Sequence, residues 1–170
     1  MDRILKYYWV KCKEGFYTPA NRSTINAIIL HSTDGRQGGD IPTLSGQTDR
    51  KVSVHWYTTI SGDIYHFLQD KDIGFHVGAA INKKYTNSGT IGIEQEHFDG
   101  LEKWPDALVK ATALVVAYLR QKFGDTVPVK SHAEVAFPQG RKQDPVEYPW
   151  KTLSKYVKEY MNETIVPQAV

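Results

Sequence analysis

The distribution of apolar and polar residues along the chain predicts alternating strands and helices. Residues 26–30 (NAIIL) and 89–96 (GTIGIEQE) contain short β-branched runs, which are typical of strands buried on both faces. Residues 52–60 (VSVHWYTTI) and 64–68 (IYHFL) flank a Ser-Gly-Asp turn and therefore predict a β-hairpin. Another short strand is predicted at residues 127–129.

Two helices are predicted in the C-terminal half of the chain. Pro105 opens the first, because proline is best tolerated in the first turn, and the helix continues to Phe123 with Gly124 as its stop. Its apolar face consists of Leu108, Thr112, Val115, Val116 and Leu119. Pro149 and Trp150 open a final helix, whose inner face consists of Leu153, Tyr156, Val157 and Tyr160.

Three segments show no regular spacing of apolar residues. Residues 34–50 are polar and glycine-rich and predict a long loop with at most one weak helical turn. Residues 6–10 predict an edge strand or a lid, and residues 163–170 an irregular tail. We therefore divide the chain into an N-terminal extension (1–24) packed on one α/β domain (25–162), followed by the tail. This order of elements predicts a central mixed β-sheet flanked by helices.

Size, charge and cysteine content exclude several classes of protein. A length of 170 residues suits one domain with a proper core. The net charge is +2 and no stretch concentrates Lys and Arg, which argues against a nucleic-acid-binding protein. Cys12 is the only cysteine, so an intramolecular disulfide is impossible. The N-terminus has no apolar signal-peptide core, and no apolar run approaches a membrane span of about 18 residues.

Three side chains form a candidate metal site. His31 closes one predicted strand, His132 follows another, and Asp144 lies in a later loop. If the strands are parallel, their carboxyl ends meet at one edge of the sheet. Two imidazoles and one carboxylate leave a fourth zinc position open, as hydrolytic sites require. Each residue also has a structural interpretation, since a histidine can end a strand and Asp144 before Pro145 can begin a turn.

Glu94 supplies a carboxylate near the end of another predicted strand, where a general base is useful. Glu96 competes for this role, because residues two apart on a strand share one face. The residues alone leave this choice open.

Six sequence blocks occur in an order that resembles the type 2 N-acetylmuramoyl-L-alanine amidases, the family of amidase-type phage lysozymes and peptidoglycan-recognition proteins. They span residues 25–153 and read ILHST, SVHWYTTISGDIYHFL, FHVGAA, SGTIGIEQEH, SHAEV and GRKQDP. The resemblance implies the α/β fold of those proteins. It also implies Zn²⁺ bound by His31, His132 and Asp144, with Lys142 two residues before the last ligand.

The resemblance also implies roles for residues around the metal. It assigns the general base to Glu94 and stabilisation of the oxyanion to Lys142, and it makes His76 and Trp56 candidates for substrate contact. Core packing remains the alternative for Trp56, as it does for Tyr57 and Phe75. Among the other histidines we expect His55 to be a buried support and His66 and His97 to be structural or exposed. Val54 stands where some relatives have a catalytic tyrosine, and residues 34–51 lack the amphipathic helix that many relatives carry.

The function that follows from the resemblance is zinc-dependent hydrolysis of the amide bond between N-acetylmuramic acid and L-alanine in peptidoglycan. We expect a monomeric phage endolysin or lytic enzyme, made in the cytoplasm, that acts on glycan strands with stem peptides after release. The alternatives are a cytosolic enzyme that recycles muropeptides, a non-catalytic peptidoglycan-binding module and an unrelated metal-free α/β protein.

Overall fold

The computed structural model describes residues 1–170. Its strands are β1 Asp2–Trp9, β2 Tyr17–Thr18, β3 Ala27–Leu30, β4 Trp56–Thr58, β5 Ile64–His66, β6 Ile73–Gly74, β7 Thr90–Gln95, β8 Val129–Ser131 and β9 Thr164–Ala169. Its α-helices are α1 Gln37–Leu44, α2 Asp106–Phe123, α3 His132–Val135 and α4 Trp150–Tyr160. Short 3₁₀ turns occupy Lys83–Tyr85 and Asn87–Gly89. None of the helices has the length and apolar character that crossing a membrane requires.

Seven strands form one mixed sheet in the order β8-β3-β7-β4-β5-β1-β9, and β2 pairs with β6 in a separate ribbon. The only antiparallel pair in the large sheet is β4–β5, which is the predicted hairpin. Strands β8, β3, β7 and β4 are parallel neighbours, so their carboxyl ends share one edge. The prediction of one α/β domain with a central mixed sheet is confirmed.

Alternation along the strands separates two cores. Ile28 and Leu30 of β3 face α2 and α4, whereas Ala27 and Ile29 face the opposite side. The helical side holds the largest cluster, with 21 buried residues from the sheet, α2 and α4. The opposite side is covered by α1 and by loops, and this side leaves room for a cleft.

The predicted helices lie where the apolar period places them. α2 begins one residue after Pro105 and ends before Gly124, whose φ of +128° suits a residue without a side chain. All five residues of its predicted apolar face are buried. Helix α4 likewise begins after Pro149 and buries Leu153, Val157 and Tyr160.

Residues 34–50, predicted as a loop, contain the eight-residue helix α1. This helix contains Pro42, its N-cap residue Arg36 makes no side-chain capping bond, and Leu44 is its only buried residue. These properties remove the apolar period and the capping signal from which helices are recognised. The prediction was therefore wrong because contacts with the rest of the fold, and not local preference, hold α1 in place.

Both chain ends belong to the large sheet. β1 lies between β5 and β9 and is not the predicted edge strand or lid. Residues 163–170, predicted to be irregular, contain β9, which pairs with β1 in parallel register from Asp2↔Thr164 to Tyr7↔Ala169. Five of the six β9 residues are exposed, so an edge strand of this kind shows little apolar pattern in the sequence.

A candidate metal centre in an open cleft

The candidate metal ligands meet at the carboxyl edge of three parallel strands. His31 directly follows β3, and His132 directly follows β8. Leu30 pairs with Ser131 on one side and with Ile93 on the other, so the next residues of all three strands are close neighbours. Asp144 reaches the same point from the loop after α3. The structure thus brings together the three residues that the sequence separates by more than one hundred positions.

Three donor atoms of this cluster are spaced as the ligands of one metal ion would be. Nδ1 of His31 lies 3.0 Å from Nδ1 of His132. Oδ2 of Asp144 lies 3.2 Å from Nδ1 of His132 and 3.4 Å from Nδ1 of His31. Atoms about 2.0–2.1 Å from a tetrahedral zinc ion lie roughly 3.3 Å from one another. The donor set therefore fits a small tetrahedral cation and leaves a fourth ligand position to be filled from outside these three residues.

The charges of the cluster suit a divalent cation. Burial lowers the pKa of His31 to about 4, so its ring is neutral near pH 7. Burial alone would raise the pKa of Asp144, but its close contacts with the imidazoles of His132 and His31 outweigh burial and hold that pKa well below its usual range. A neutral imidazole beside an ionised carboxylate is the protonation state in which these groups bind metals.

Local structure fixes the orientation of His132. Ser131 caps α3 by a reciprocal capping box with Glu134, so the helix begins at the ligand itself. Nε2 of His132 lies 2.9 Å from the carbonyl oxygen of Val77, which can only accept a hydrogen bond. Nε2 therefore carries a proton, and Nδ1 is the ring nitrogen left to face the ligand atoms of His31 and Asp144.

Asp99 connects the two sides of the cluster. Its Oδ2 accepts hydrogen bonds from the hydroxyl of Ser32, next to His31, and from the amide of Val146, two residues after Asp144. Its Oδ1 lies 3.0 Å from Nδ1 of His97. Asp99 gives no signal in the sequence, because its partners are distant in the chain and the HFDG segment looks like an ordinary turn.

Glu94 has a carboxylate oxygen that accepts no hydrogen bond. It projects from β7 into the cleft, and its Oε2 is buried without a hydrogen-bond partner. Burial raises the pKa of Glu94 well above its usual range, and the nearby charges of Asp144 and Asp40 add to this rise. The competing Glu96 has both oxygens occupied, since they accept from the amides of Gln37 and Ile60 at 3.0 Å each. Glu96 thus anchors α1 and does not line the cleft.

The cleft has a volume of about 410 Å³ and a largely polar lining. Lys142 lies in its wall two residues before Asp144 and is half-buried. Arg50 and Lys51 also line the cleft, together with residues of α1, whose Asp40 accepts a hydrogen bond from Tyr57. This part of the lining was not predicted, because residues 34–50 were expected to form a loop.

His76 and Trp56, the two candidates for substrate contact, occupy different environments. His76 borders the cleft but is only 6% exposed, and burial lowers its pKa well below the usual value. Trp56 is fully buried on the helical side of the sheet, where its Nε1 donates to Asp70. The structure corrects the assignment of Trp56, because apolar packing and not substrate accounts for its position.

The remaining aromatic and histidine residues either border the cleft or are buried in the fold. Phe75 borders the cleft, whereas Tyr57 is fully buried. His55 is a buried support, as expected, and its Nδ1 accepts the amide hydrogen of Gly92 on the neighbouring strand. His66 and His97 are both buried, each stacked on a tryptophan ring.

Comparison with known proteins gives a consistent picture of the family and fold. A family model described as N-acetylmuramoyl-L-alanine amidase matches residues 21–147. The solved structure of an AmpD derivative is 18% identical with a TM-score of 0.77, covering 89% of this chain and 94% of that one. The endolysin amidase LysCS from Clostridium intestinale is 18% identical with a TM-score of 0.67, covering 88% of this chain and 95% of that one.

A third solved structure contains a ligand. AmiD from E. coli, in complex with anhydro-N-acetylmuramic acid-L-Ala-D-γ-Glu-L-Lys, is 22% identical with a TM-score of 0.66. The match covers 81% of this chain and 60% of that one. No curated protein sequence matches this chain significantly.

Proposed function

Because this chain belongs to the N-acetylmuramoyl-L-alanine amidase family, we propose that it is a zinc-dependent enzyme that cleaves the amide bond between N-acetylmuramic acid and L-alanine in peptidoglycan. The observation that carries the proposal is the convergence of His31, His132 and Asp144 beside the free carboxylate of Glu94. A non-catalytic binding module has no need for this combination of open metal position and unpaired base.

The chemistry divides among five side chains. His31, His132 and Asp144 would hold the zinc ion, which when bound polarises the scissile carbonyl and lowers the pKa of water from roughly 15.7 to about 7. Glu94 takes a proton from the attacking water and passes it to the leaving amine of L-alanine. The burial that raises the pKa of Glu94 suits this exchange, since a base that must also donate needs a pKa near the working pH.

Lys142 stabilises the charge that develops on the carbonyl oxygen. Its side chain lines the cleft together with Asp144, and a half-buried charged donor interacts more strongly with an oxyanion than it would in water. Positive charge from Arg50 and Lys51, which also line the cleft, complements the carboxylates of a stem peptide.

We further propose that the enzyme acts as a monomeric endolysin, on polymeric wall glycan and after release from the producing cell. The open cleft supports this role, because a glycan strand must pass through the site. The endolysin among the related folds agrees with it. The alternative, an enzyme that recycles small soluble muropeptides, has support from the AmiD complex with an anhydromuropeptide.

The bond and the substrate size can be tested together. The purified protein should lower the turbidity of isolated cell walls and create new L-alanine amino termini, without new reducing sugar ends, as mass analysis of the products would reveal. Resistance of intact walls together with fast cleavage of soluble muropeptides would favour the recycling enzyme. New reducing ends would contradict the amidase proposal.

The metal can be tested by stoichiometry. We expect one zinc ion per wild-type chain and a loss of bound zinc in His31→Ala and Asp144→Ala, because each variant removes one of three donors. Full retention of zinc in both variants would reject the ligand assignment. Absence of zinc from the wild type would reject the proposed zinc dependence.

A further inference from the structure

A chain of buried hydrogen bonds extends from the candidate ligand His31 away from the metal position. Nε2 of His31 lies 2.9 Å from Nδ1 of His76. Nε2 of His76 lies 3.3 Å from the hydroxyl oxygen of Thr90. That hydroxyl lies 3.0 Å from the carbonyl oxygen of Thr86, where the chain ends. Both imidazoles are less than 10% exposed, so water cannot easily replace any of these partners.

The last acceptor sets the direction of every bond in the chain. A carbonyl oxygen only accepts, so Thr90 donates its single hydroxyl hydrogen to Thr86 and must accept from Nε2 of His76. A neutral imidazole has one N–H group, which leaves Nδ1 of His76 as an acceptor for Nε2–H of His31. The remaining nitrogen of His31, Nδ1, then carries a lone pair, and this is the atom that faces His132 and Asp144.

Gly92 provides the space that this arrangement needs. A Cβ atom at position 92 would lie 2.6 Å from Nδ1 of His76 and 2.7 Å from its Cγ. The ring of His76 therefore rests directly on the backbone of β7, next to the strand position of Glu94. The amide of His76 also donates to the side-chain oxygen of Asn87 at 3.1 Å, so ring and backbone are both held. A glycine inside a strand commonly marks such a close approach.

From these contacts we propose that His76 is a positioning residue: through the chain to Thr90 and Thr86, it fixes the ring orientation and the tautomer in which His31 binds the metal ion. This inference rests on the proposed zinc site. It differs from the substrate contact expected of His76, because both ring nitrogens already have protein partners. Partners that orient ligands in this way raise metal affinity by about 10–100-fold.

Two substitutions of His76 separate this role from simple packing. His76→Leu removes the acceptor for Nε2–H of His31, whereas the side-chain oxygen of His76→Asn can occupy nearly the same place as Nδ1. We expect His76→Leu to weaken zinc binding by about 10–100-fold, measured by competition with a chromophoric chelator. His76→Asn should recover most of the lost affinity. The visible spectrum of the cobalt-substituted proteins should change in the Leu variant and resemble the wild type in the Asn variant.

Thr90 gives an independent test at the far end of the chain. Thr90→Val keeps the shape but removes the hydroxyl, so the tautomer of His76 is no longer determined, whereas Thr90→Ser keeps the hydroxyl. Zinc affinity should fall in the Val variant and remain within twofold of the wild type in the Ser variant. His66→Leu is the matched control, since it removes a buried imidazole remote from the metal ligands and should leave zinc affinity unchanged.

The outcomes distinguish the inference from the proposed function. If the wild type binds no zinc, the proposed metal site fails, and the inference falls with it. If the wild type binds zinc and both His76→Leu and Thr90→Val bind it equally tightly, only the positioning role is rejected. A loss of affinity in His66→Leu as large as in His76→Leu would also overturn it, because general destabilisation would then explain both.

Discussion

Two buried contacts between histidine and aspartate lie on opposite faces of the sheet, and they have different consequences. In the cleft, Asp144 meets two imidazole nitrogens, and no positively charged side chain contacts its carboxylate. On the helical face, Asp70 lies 3.4 Å from His66 but also accepts hydrogen bonds from Trp56 at 2.8 Å and from Lys122 at 2.8 Å. The cluster around Asp144 has more lone pairs than hydrogen-bond donors. The cluster around Asp70 has enough donors for the oxygens of its carboxylate.

This difference separates a candidate metal site from a structural contact. Histidine and aspartate can supply the same ligand atoms in both places, but only the donor atoms of the cleft cluster lie within 4.8 Å of one another as a group of three. Asp70 already has the Lys122 ammonium as its cation. We therefore expect substitutions around Asp144 to change chemistry with little loss of stability, and substitutions around Asp70 to do the opposite.

Glu94→Gln should produce the largest effect. Loss of a general base lowers turnover by about 10²–10⁴-fold, while the isosteric amide leaves the zinc ligands in place. Thermal stability should be equal or higher, because the buried, unpartnered carboxyl no longer has to be accommodated. Turnover of a soluble muropeptide, zinc content and melting temperature would be measured together. Near-normal turnover would show that another residue acts as the base. It would also contradict our expectation that substitutions in the cleft change chemistry more than stability.

Lys142→Ala should lower kcat by about 10²–10³-fold with a smaller change in KM, because a contact to the oxyanion strengthens in the transition state. Lys51→Ala, at another lysine of the cleft lining, is the control and should act mainly on KM. Steady-state kinetics of both variants would be compared with the wild type. An unchanged kcat with a raised KM in Lys142→Ala would make this residue a substrate anchor instead.

The sequence predicts the cleft cluster better than it predicts the surroundings of the cluster. Strand ends carry His31 and His132 to one edge because parallel register brings equivalent positions together. The same reasoning cannot find Asp99 or the Thr90–His76 chain, since Asp99 and His76 lie in loops whose paths depend on tertiary packing. Trp56 was misplaced for a related reason: the VHWY run is apolar on both sides, so its pattern does not show which face a residue takes.

The fold shows the same limit. Helix α2 follows from its apolar period, its opening proline and its closing glycine. Helix α1 and strand β9 do not, because α1 contains Pro42 and buries only Leu44, while β9 is an exposed edge strand. Local patterns predict elements that bury a regular face, and they miss elements that other parts of the chain hold in place.

Asp70→Ala should reduce stability without affecting the metal. The substitution leaves the buried indole N–H of Trp56 without its acceptor, a cost of about 2–3 kcal/mol, and it releases the half-exposed Lys122 to solvent. Zinc content and kcat at temperatures below the melting transition should equal those of the wild type. Loss of zinc in this variant would show that the two clusters are coupled.

The contribution of Asp70 should also depend on pH. Burial alone would raise the pKa of Asp70, but His66 and Lys122 outweigh it and hold that pKa below the ordinary value. The stabilisation is therefore present above the unfolded-state pKa of about 3.9 and is lost as the pH falls through the lower folded-state value. Denaturant unfolding of the wild type and Asp70→Asn should give stability curves that converge in acid. A constant difference down to the lowest accessible pH would contradict this origin.

Tyr118→Phe should have the smallest effect. The Tyr118 hydroxyl lies 3.3 Å from Oδ2 of Asp70, a long hydrogen bond to a carboxylate that Lys122 also contacts, so its loss should cost about 0.5–1 kcal/mol. This corresponds to a decrease in melting temperature of about 1–4 °C for a domain of this size. The aromatic ring keeps its edge contact with Trp56, since only the oxygen is removed.

A double-mutant cycle makes this small effect informative. If the hydroxyl of Tyr118 acts only through Asp70, Tyr118→Phe should cost almost nothing in the Asp70→Ala background, because the acceptor is already gone. The zinc affinity of all three variants should equal that of the wild type, since none of the altered atoms reaches the cleft. An equal cost in both backgrounds would mean that Tyr118 stabilises α2 by another route, and the donors around Asp70 would then not form one network.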